Sequence, residues 1–367
     1  MVEEFVARVR RESLASFCQQ VFSRLGVVEQ DATISADVLV TADLRGVASH
    51  GVAHLRRYVE GLKAGTIIAR PRECQVAETL ATATVDAGAG LGPPVSFRAM
   101  QKAIRKAQEV GAGFCVVRNS NHFGIAGYYA MLALEHDCIG LALTNASPMV
   151  VPTFARNATL GTNPIAIAVP AGQQPPFVLD MATSIVALGK LEIAEQLDRP
   201  IPSGWGIDSR GLPLQDPARG IQEFRKRAGG GLLPLGGEGE KWGGYKGYGL
   251  ALWVDIFSGV LSGAAFATLT YPRTSEGGPL SANVGHFFGA WRIDSFRPVK
   301  DFYAAMEELL SLLRNAPKAD GASRIYIPGE KEQETAERNL RDGIPLNRKV
   351  ANELAALARE LELELEF

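Results

Sequence analysis

The stretch ATVDAGAGLGPPVSFRAMQKAI, residues Ala83–Ile104, decides how this chain is to be read. It runs from a β-branched segment through a glycine turn into a helix-forming segment opened by prolines, the context that a dinucleotide fingerprint needs. The fingerprint fails on its spacing. A GxGxxG match starting at Gly88 requires glycine at position 93, where Pro93 stands, and a match starting at Gly90 requires glycine at 92 and 95, where Val95 fills the second place. The following strand-like segment, FCVVRNSNH, offers only Arg118 where an acidic residue would take ribose hydroxyls. A phosphate loop fails as well, because no Gly-Lys pair is followed by Ser or Thr. The turn therefore reads as a tight connection before a Pro-started helix.

Working outward, short apolar or β-branched runs at Ala83–Val85, Phe114–Val117, Ile139–Leu143, Ile165–Val169 and Phe177–Leu179 alternate with helical segments, which predicts an α/β sheet. Before them, apolar residues recur at helical spacing from Ser13 to Leu44, and a second helix is expected from Ser49 to the Gly65 stop. Residues Gly229–Gly249 hold many of the 39 glycines and read as a mobile loop leading into a buried helix over Leu250–Leu261. From Pro298 the chain is again helical, broken by Arg324–Ile327 and the IPGE turn. Residues 1–75 and 296–367 are thus expected to form a mainly helical domain and 76–295 an α/β domain.

Bulk composition narrows the function classes. With 46% hydrophobic residues the chain can bury a large core, and 38 Lys+Arg against 40 Asp+Glu leave no electrostatic footprint for nucleic acid or a membrane surface. A small-molecule partner is expected. Cys18, Cys74, Cys115 and Cys138 form no CxxC pair and read as reduced thiols, and MVEEFVARVRRESL lacks the features of a signal peptide, so a cytoplasmic protein is expected.

Two polar clusters stand out. In DLRGVASHGVAHLRRYVEGLKAG, Ser49 as a helix cap would put His50 in the first turn, with His54 and Tyr58 on the same face four and eight residues on. A histidine there is kept neutral by the helix dipole and suits general acid–base work on an alcohol or carbonyl oxygen. In RNSNHFGIAGYYA, Asn119, Asn121 and His122 fall where a strand passes into a helix, a usual place for ligand sites in α/β proteins. The spacing of HGVAH lacks the glutamate of a zinc protease motif, and no metal site is assigned. A metal-dependent hydrolase using His50, His54 and an acid such as Asp43 remains the rival from another class, beside a non-catalytic ligand binder.

At these residues the sequence resembles the type 2 malate/L-lactate dehydrogenase family, which includes sulfolactate, ureidoglycolate, diketogulonate and imino-acid enzymes. The resemblance is carried by DLRGVASHG, RNSNHFG, TNASPMVVP, LGTNPIAIAVP, VLDMATS, IPSGWGID, GGYKGYGLAL and IPGEKEQETAERNLRDGIPL, in order along nearly the whole chain. It implies an NAD- or NADP-dependent oxidoreductase interconverting a small 2-hydroxy acid and its 2-keto acid, malate/oxaloacetate or lactate/pyruvate first. A cyclic imino acid, sulfopyruvate or diketogulonate is the alternative substrate. It implies a homodimer with a non-Rossmann cofactor domain on a largely antiparallel or mixed sheet. It also implies His50 as proton donor and acceptor with Ser49 beside it, and cofactor contacts at His122, Phe123, Gly124, Ile125, Ala126, Asp180, Met181, Ala182, Lys246, Gly329 and Glu330. Asp180 ends an apolar strand and could accept ribose hydroxyls, while Lys246 in a glycine loop could reach phosphate. Arg45, His54 and Tyr58 are the candidates for the substrate carboxylate. Many relatives carry arginine where this chain has His54, and Lys190 stands near where some carry an aspartate of a Ser–His relay, so no triad is assigned.

Overall fold

A computed structural model describes residues 5–365. Strand β1 (Phe5–Val9) leads into α1 (Arg11–Arg24), whose Leu14, Phe17, Cys18, Val21 and Phe22 make one buried stripe at helical spacing. Helix α2 (Glu29–Leu44) is buried along most of its length and faces two cores. Ala32, Ala36, Leu39, Val40 and Leu44 join the core made by the terminal segments, while Ile34 and Val38 join the core on the sheet. The chain leaving α2 is therefore delivered to the boundary between the two.

The expected single helix from Ser49 to Gly65 is corrected by the structure. Ala48–His50 and Val52–His54 are two separate 3₁₀ turns, and α3 covers only Leu55–Lys63. Gly51 between the turns is extended at ψ −145°, and neither turn has a side-chain cap. The cause lies below the break. Asp43 accepts the Val52 N–H at 2.7 Å, and a Cβ at residue 51 would come within 2.1 Å of that carboxylate. His50 thus owes its placement to a buried carboxyl group and not to a helix dipole.

The expected α/β sheet has seven strands. Strands β2 (Cys74–Glu78) and β3 (Thr82–Asp86) precede α4 (Gly92–Val110) and β4 (Ala112–Ser120), and α5 (Ala126–Met131) leads to β5 (Cys138–Thr144), β6 (Ile165–Val169) and β7 (Phe177–Met181). A smaller lobe follows with α6 (Leu188–Gln196), β8 (Gly206–Ile207), α7 (Pro217–Lys226), β9 (Gly231–Leu232) and α8 (Gly244–Asp255). Then β10 (Val284–Arg292) returns to the middle of the sheet, giving the order β2-β3-β4-β10-β5-β6-β7. Only β3 and β4 pair in parallel; the rest are antiparallel, so the sheet is mixed. Helices α9 (Val299–Arg314) and α10 (Glu330–Asp342) lead to β11 (Ile344–Asn347), which pairs antiparallel with β1, and to α11 (Arg348–Leu361), whose Leu354, Leu357 and Leu361 close the terminal-segment core.

The glycine turn after β3 is filled by protein. A Cβ at Gly90 would meet the Pro71 ring at 2.5 Å, and one at Gly92 would meet the carbonyls of His122 and Asn121 at 2.3 and 2.4 Å. Asn121 fastens the turn by donating its side-chain amide to Ala89 and Gly90 carbonyls at 3.0 and 2.8 Å. One further expectation is corrected. Helix α8, which runs on through a π turn at Ile256–Val260, leaves Leu252, Ile256, Val260 and Leu261 exposed, because the chain packs only its other side.

Candidate active site

A cleft of about 530 Å³ is lined by several separate segments, among them Arg45, Ser49 and His50 after α2, Gly124–Gly127 at the start of α5, Asp180–Ala182 at the end of β7, and the stretch around Pro328 and Gly329. That volume suits a small organic ligand, for which pockets of roughly 300–1,000 Å³ are usual. The segments are far apart in sequence, and the sheet edge and the break after α2 bring them together.

His50 stands at one end of this cleft. Ser49 Oγ lies 3.0 Å from His50 Nδ1, which leaves Nε2 without a hydrogen-bond partner among the described residues. Behind His50 is a cluster of rings. The His122 ring stacks on His50 with centroids 5.7 Å apart and an interplanar angle of 24°, and His54 lies 4.9 Å from His122 and 5.6 Å from His50. Tyr58, fully buried, places its hydroxyl 2.7 Å from His122 Nδ1. Three histidines this close cannot all carry protons. Desolvation first and the charge of Arg57 next hold His50 below the usual histidine range, and desolvation with the His50 and Arg57 charges pushes His54 down to about 3. His50 is consequently neutral near pH 7 and able to take a proton.

The sequence model describing malate/L-lactate dehydrogenases matches residues 9–355 of the chain. The chain belongs to the malate/L-lactate dehydrogenase family. Malate dehydrogenase of Pyrococcus abyssi is 45% identical, with 98% of this chain and 96% of the relative aligned. L-sulfolactate dehydrogenase of Methanocaldococcus jannaschii is 38% identical over 94% and 95% of the two chains. Among solved structures, malate dehydrogenase from Entamoeba histolytica superposes with a TM-score of 0.94 at 35% identity, covering 98% of this chain and 99% of that one. As a malate/L-lactate dehydrogenase family member, the protein is an oxidoreductase of 2-hydroxy acids that works with a nicotinamide cofactor.

The residues present fit such a cofactor. Asp180 accepts the Gly127 N–H at 2.7 Å through Oδ2 and leaves Oδ1 without a partner among the described residues, so it can accept a ribose hydroxyl. A Cβ at Gly127 would intrude within 2.8 Å of that oxygen, which explains the glycine. Desolvation beside the cleft walls raises the Asp180 carboxyl to about 6, while the Gly127 N–H and the Arg45 charge pull it back and the side chain stays open to solvent. Gly329, at φ +97°, lets the backbone pass against Val178 at the cleft wall.

Not every residue expected at the site in this malate/L-lactate dehydrogenase family member lines the cleft. Arg45, Ser49, His50, Gly124, Ile125, Ala126, Asp180, Met181, Ala182 and Gly329 do. His122, His54 and Tyr58 form the ring cluster behind it. The Phe123 ring is buried against His286, with centroids 4.7 Å apart. Glu330 is buried and committed to Arg314 at 2.7 Å, Arg324 at 3.1 Å and the Ile327 N–H at 2.9 Å. Lys246 is exposed near the start of α8, its amine 5.8 Å from the Tyr245 ring centroid. The sequence reading missed Thr162 and Pro164, which line the cleft from within the quoted LGTNPIAIAVP, and Tyr326 and Glu332 around the IPGE turn. Nor did it single out Arg57, three residues after His54, whose charge bears on His50 and His54.

Proposed function

We propose that the protein interconverts malate and oxaloacetate, or lactate and pyruvate, with NAD or NADP held in the cleft between His50 and Gly329. One observation carries this reading: His50, neutral and fixed by Ser49, stands in the same cleft as the Gly124–Gly127 turn and the open oxygen of Asp180. The nicotinamide, when bound, takes or gives the hydride. His50 accepts the hydroxyl proton as the alcohol is oxidised and returns it to the carbonyl oxygen in reduction, with Ser49 fixing the ring through Nδ1. Asp180 and the Gly124–Ala126 backbone hold the cofactor, and Lys246, which does not line the cleft, is the outlying candidate for its phosphate.

This is a non-Rossmann mode of cofactor binding, supported by the protein groups that crowd Gly90 and Gly92. The division into a terminal-segment helical domain carrying His50 and an α/β domain over 76–295 is supported by the core that joins α1, α2 and α3 to β11 and α11, while α9 packs with Ala171 and Phe177 of the α/β part. A homodimer is supported by the exposed apolar face of Leu252, Ile256, Val260 and Leu261. A cytoplasmic location is supported by four free cysteines, of which Cys74 is exposed. Among the described residues, no helix is long and apolar enough to cross a membrane.

Sulfopyruvate is the second substrate reading, supported by the likeness to the L-sulfolactate dehydrogenase. A panel of 2-keto acids and cyclic imines with NADH and NADPH, followed at the nicotinamide absorbance, tests class, substrate and cofactor together. Turnover of oxaloacetate or pyruvate is expected; folded protein that turns over no member of the panel overturns the reading.

A further inference from the structure

A 2-keto acid brings at least one carboxylate, and a site that turns it over needs a cation for that charge beside the proton-transfer group. His54 does not supply one, because it stays neutral among the neighbouring rings. Tyr58 is fully buried with its hydroxyl spent on His122. Arg45 lines the cleft on the Asp180 side, where Asp180 and Glu332 already oppose its charge.

Arg57 differs from all three. It follows His54 at helical spacing of three, which puts the two side chains on one side of the first turn of α3. Its Nη2 donates to the Tyr271 hydroxyl at 3.0 Å, and its guanidinium lies 5.4 Å from the centre of that ring. Among the described residues it has no carboxylate partner, whereas Arg56, its chain neighbour, pairs with Glu360 at 2.6 Å. It is open to solvent and follows within one turn of His54, whose ring centroid lies 5.6 Å from that of His50; it stands outside the residues that line the cleft, and its charge opposes protonation of His50, His54 and His122. The residue that orients it is itself constrained. Tyr271 holds φ +52°, unusual for a side chain branched by a ring, and is fixed by its N–H to the Ala282 carbonyl at 2.9 Å and by Arg227, which donates to its carbonyl at 3.3 Å.

We propose that Arg57, oriented by Tyr271, binds the carboxylate of the 2-keto acid substrate beside His50. A phenol partner leaves the guanidinium's charge uncompensated and keeps part of its donor fork available, the state in which arginine best receives a planar carboxylate. The inference rests on the 2-hydroxy-acid dehydrogenase reading of the cleft and adds the group that discriminates among its substrates.

The test compares wild-type protein with Arg57→Gln, Arg57→Lys and Tyr271→Phe. Losing a charged hydrogen-bond partner should raise KM for the accepted keto acid roughly 10–100-fold in Arg57→Gln. The fall in kcat should be much smaller and NADH affinity unchanged. Tyr271→Phe should raise KM by less, and Arg57→Lys should fall between wild type and Arg57→Gln. Oxalate binding to each NADH-loaded protein, measured by calorimetry, makes the test independent of turnover. Weakened oxalate binding in the Arg57 variants supports the assignment, and wild-type KM with wild-type oxalate affinity in folded Arg57→Gln overturns it. Wild-type protein that binds oxalate through Arg57 but reduces no keto acid would sustain the carboxylate site and overturn the dehydrogenase reading instead.

Discussion

Asp43 and Gly51 meet face to face: the carboxylate lies where a side chain at residue 51 would have to go, and the same carboxylate takes the Val52 N–H at 2.7 Å. The turn carrying His50 is held from beneath by one buried acid. Burial raises the Asp43 carboxyl to about 7, against which the Val52 N–H pulls down.

A carboxyl raised in the folded state binds its proton more tightly there than in the unfolded chain. Its contribution to stability is complete below about pH 4 and is lost as the pH rises through about 7. Asp43→Asn keeps an acceptor for Val52 but cannot ionise. The melting temperature of Asp43→Asn relative to wild type should therefore climb between these two pH values and level off above them. A difference that stays constant with pH contradicts the assignment.

Gly51→Ala places a methyl group within 2.1 Å of the Asp43 carboxylate. Roughly 1–3 kcal/mol of stability should be lost, as for other overpacked sites. Turnover should drop as well, since His50 moves with the turn. Thermal melts and kcat on the same preparation check both, and wild-type values for the two would show that the turn tolerates the intrusion.

His50→Ala should lower kcat roughly 10²–10⁴-fold, the usual worth of a positioned acid–base group. His122→Phe and Tyr58→Phe remove the two sides of one 2.7 Å contact, so they should resemble each other and affect KM or stability more than kcat. The opposite ranking, with kcat near normal in His50→Ala and lost in His122→Phe, would transfer the proton to His122.

The pH profile should reflect an imidazole held below the usual range by desolvation first and by Arg57 second. For oxidation of the hydroxy acid, which needs neutral His50, kcat/KM should rise with pH along a limb below pH 6.5 and then level; reduction should fall along the same limb. Removing the Arg57 charge in Arg57→Gln should move the limb upward. A limb that does not respond to Arg57 would separate the titrating group from this cluster.

Cofactor affinity should follow Asp180 and not the glycine turn. Asp180→Asn, which removes an anionic acceptor, should weaken NADH binding roughly 10-fold. Lys246→Ala should weaken it less. In Gly90→Ala the new methyl group meets Pro71 at 2.5 Å, so the expected loss is in thermal stability, with the folded protein binding NADH normally. Fluorescence titration orders the three, and a larger effect at Gly90 than at Asp180 would revive the glycine-loop site.

The sequence by itself determined what depends on short-range pattern. Five runs of β-branched and apolar residues announced five of the seven sheet strands, because alternation and length are local properties. The misplaced spacing at Gly88–Gly92 argued against a nucleotide loop without reference to anything distant, and the ordered motifs led to the family through Ser49, His50 and Asp180. Tertiary structure decided the rest. Strand β10 was hidden because its run is interrupted by Gly285 and Gly289, and Gly285 is required by the Ser258 carbonyl, which would stand 1.7 Å from a Cβ there. The break at Gly51 was invisible because the group that causes it, the Asp43 carboxylate, lies eight residues earlier and acts through space. Nothing in the local pattern separates Arg57 from Arg56, and only the arrival of Tyr271 from more than two hundred residues away, with no carboxylate beside it, distinguishes the two. Periodicity records which face of an element is apolar; it holds no information on which polar group that face will meet.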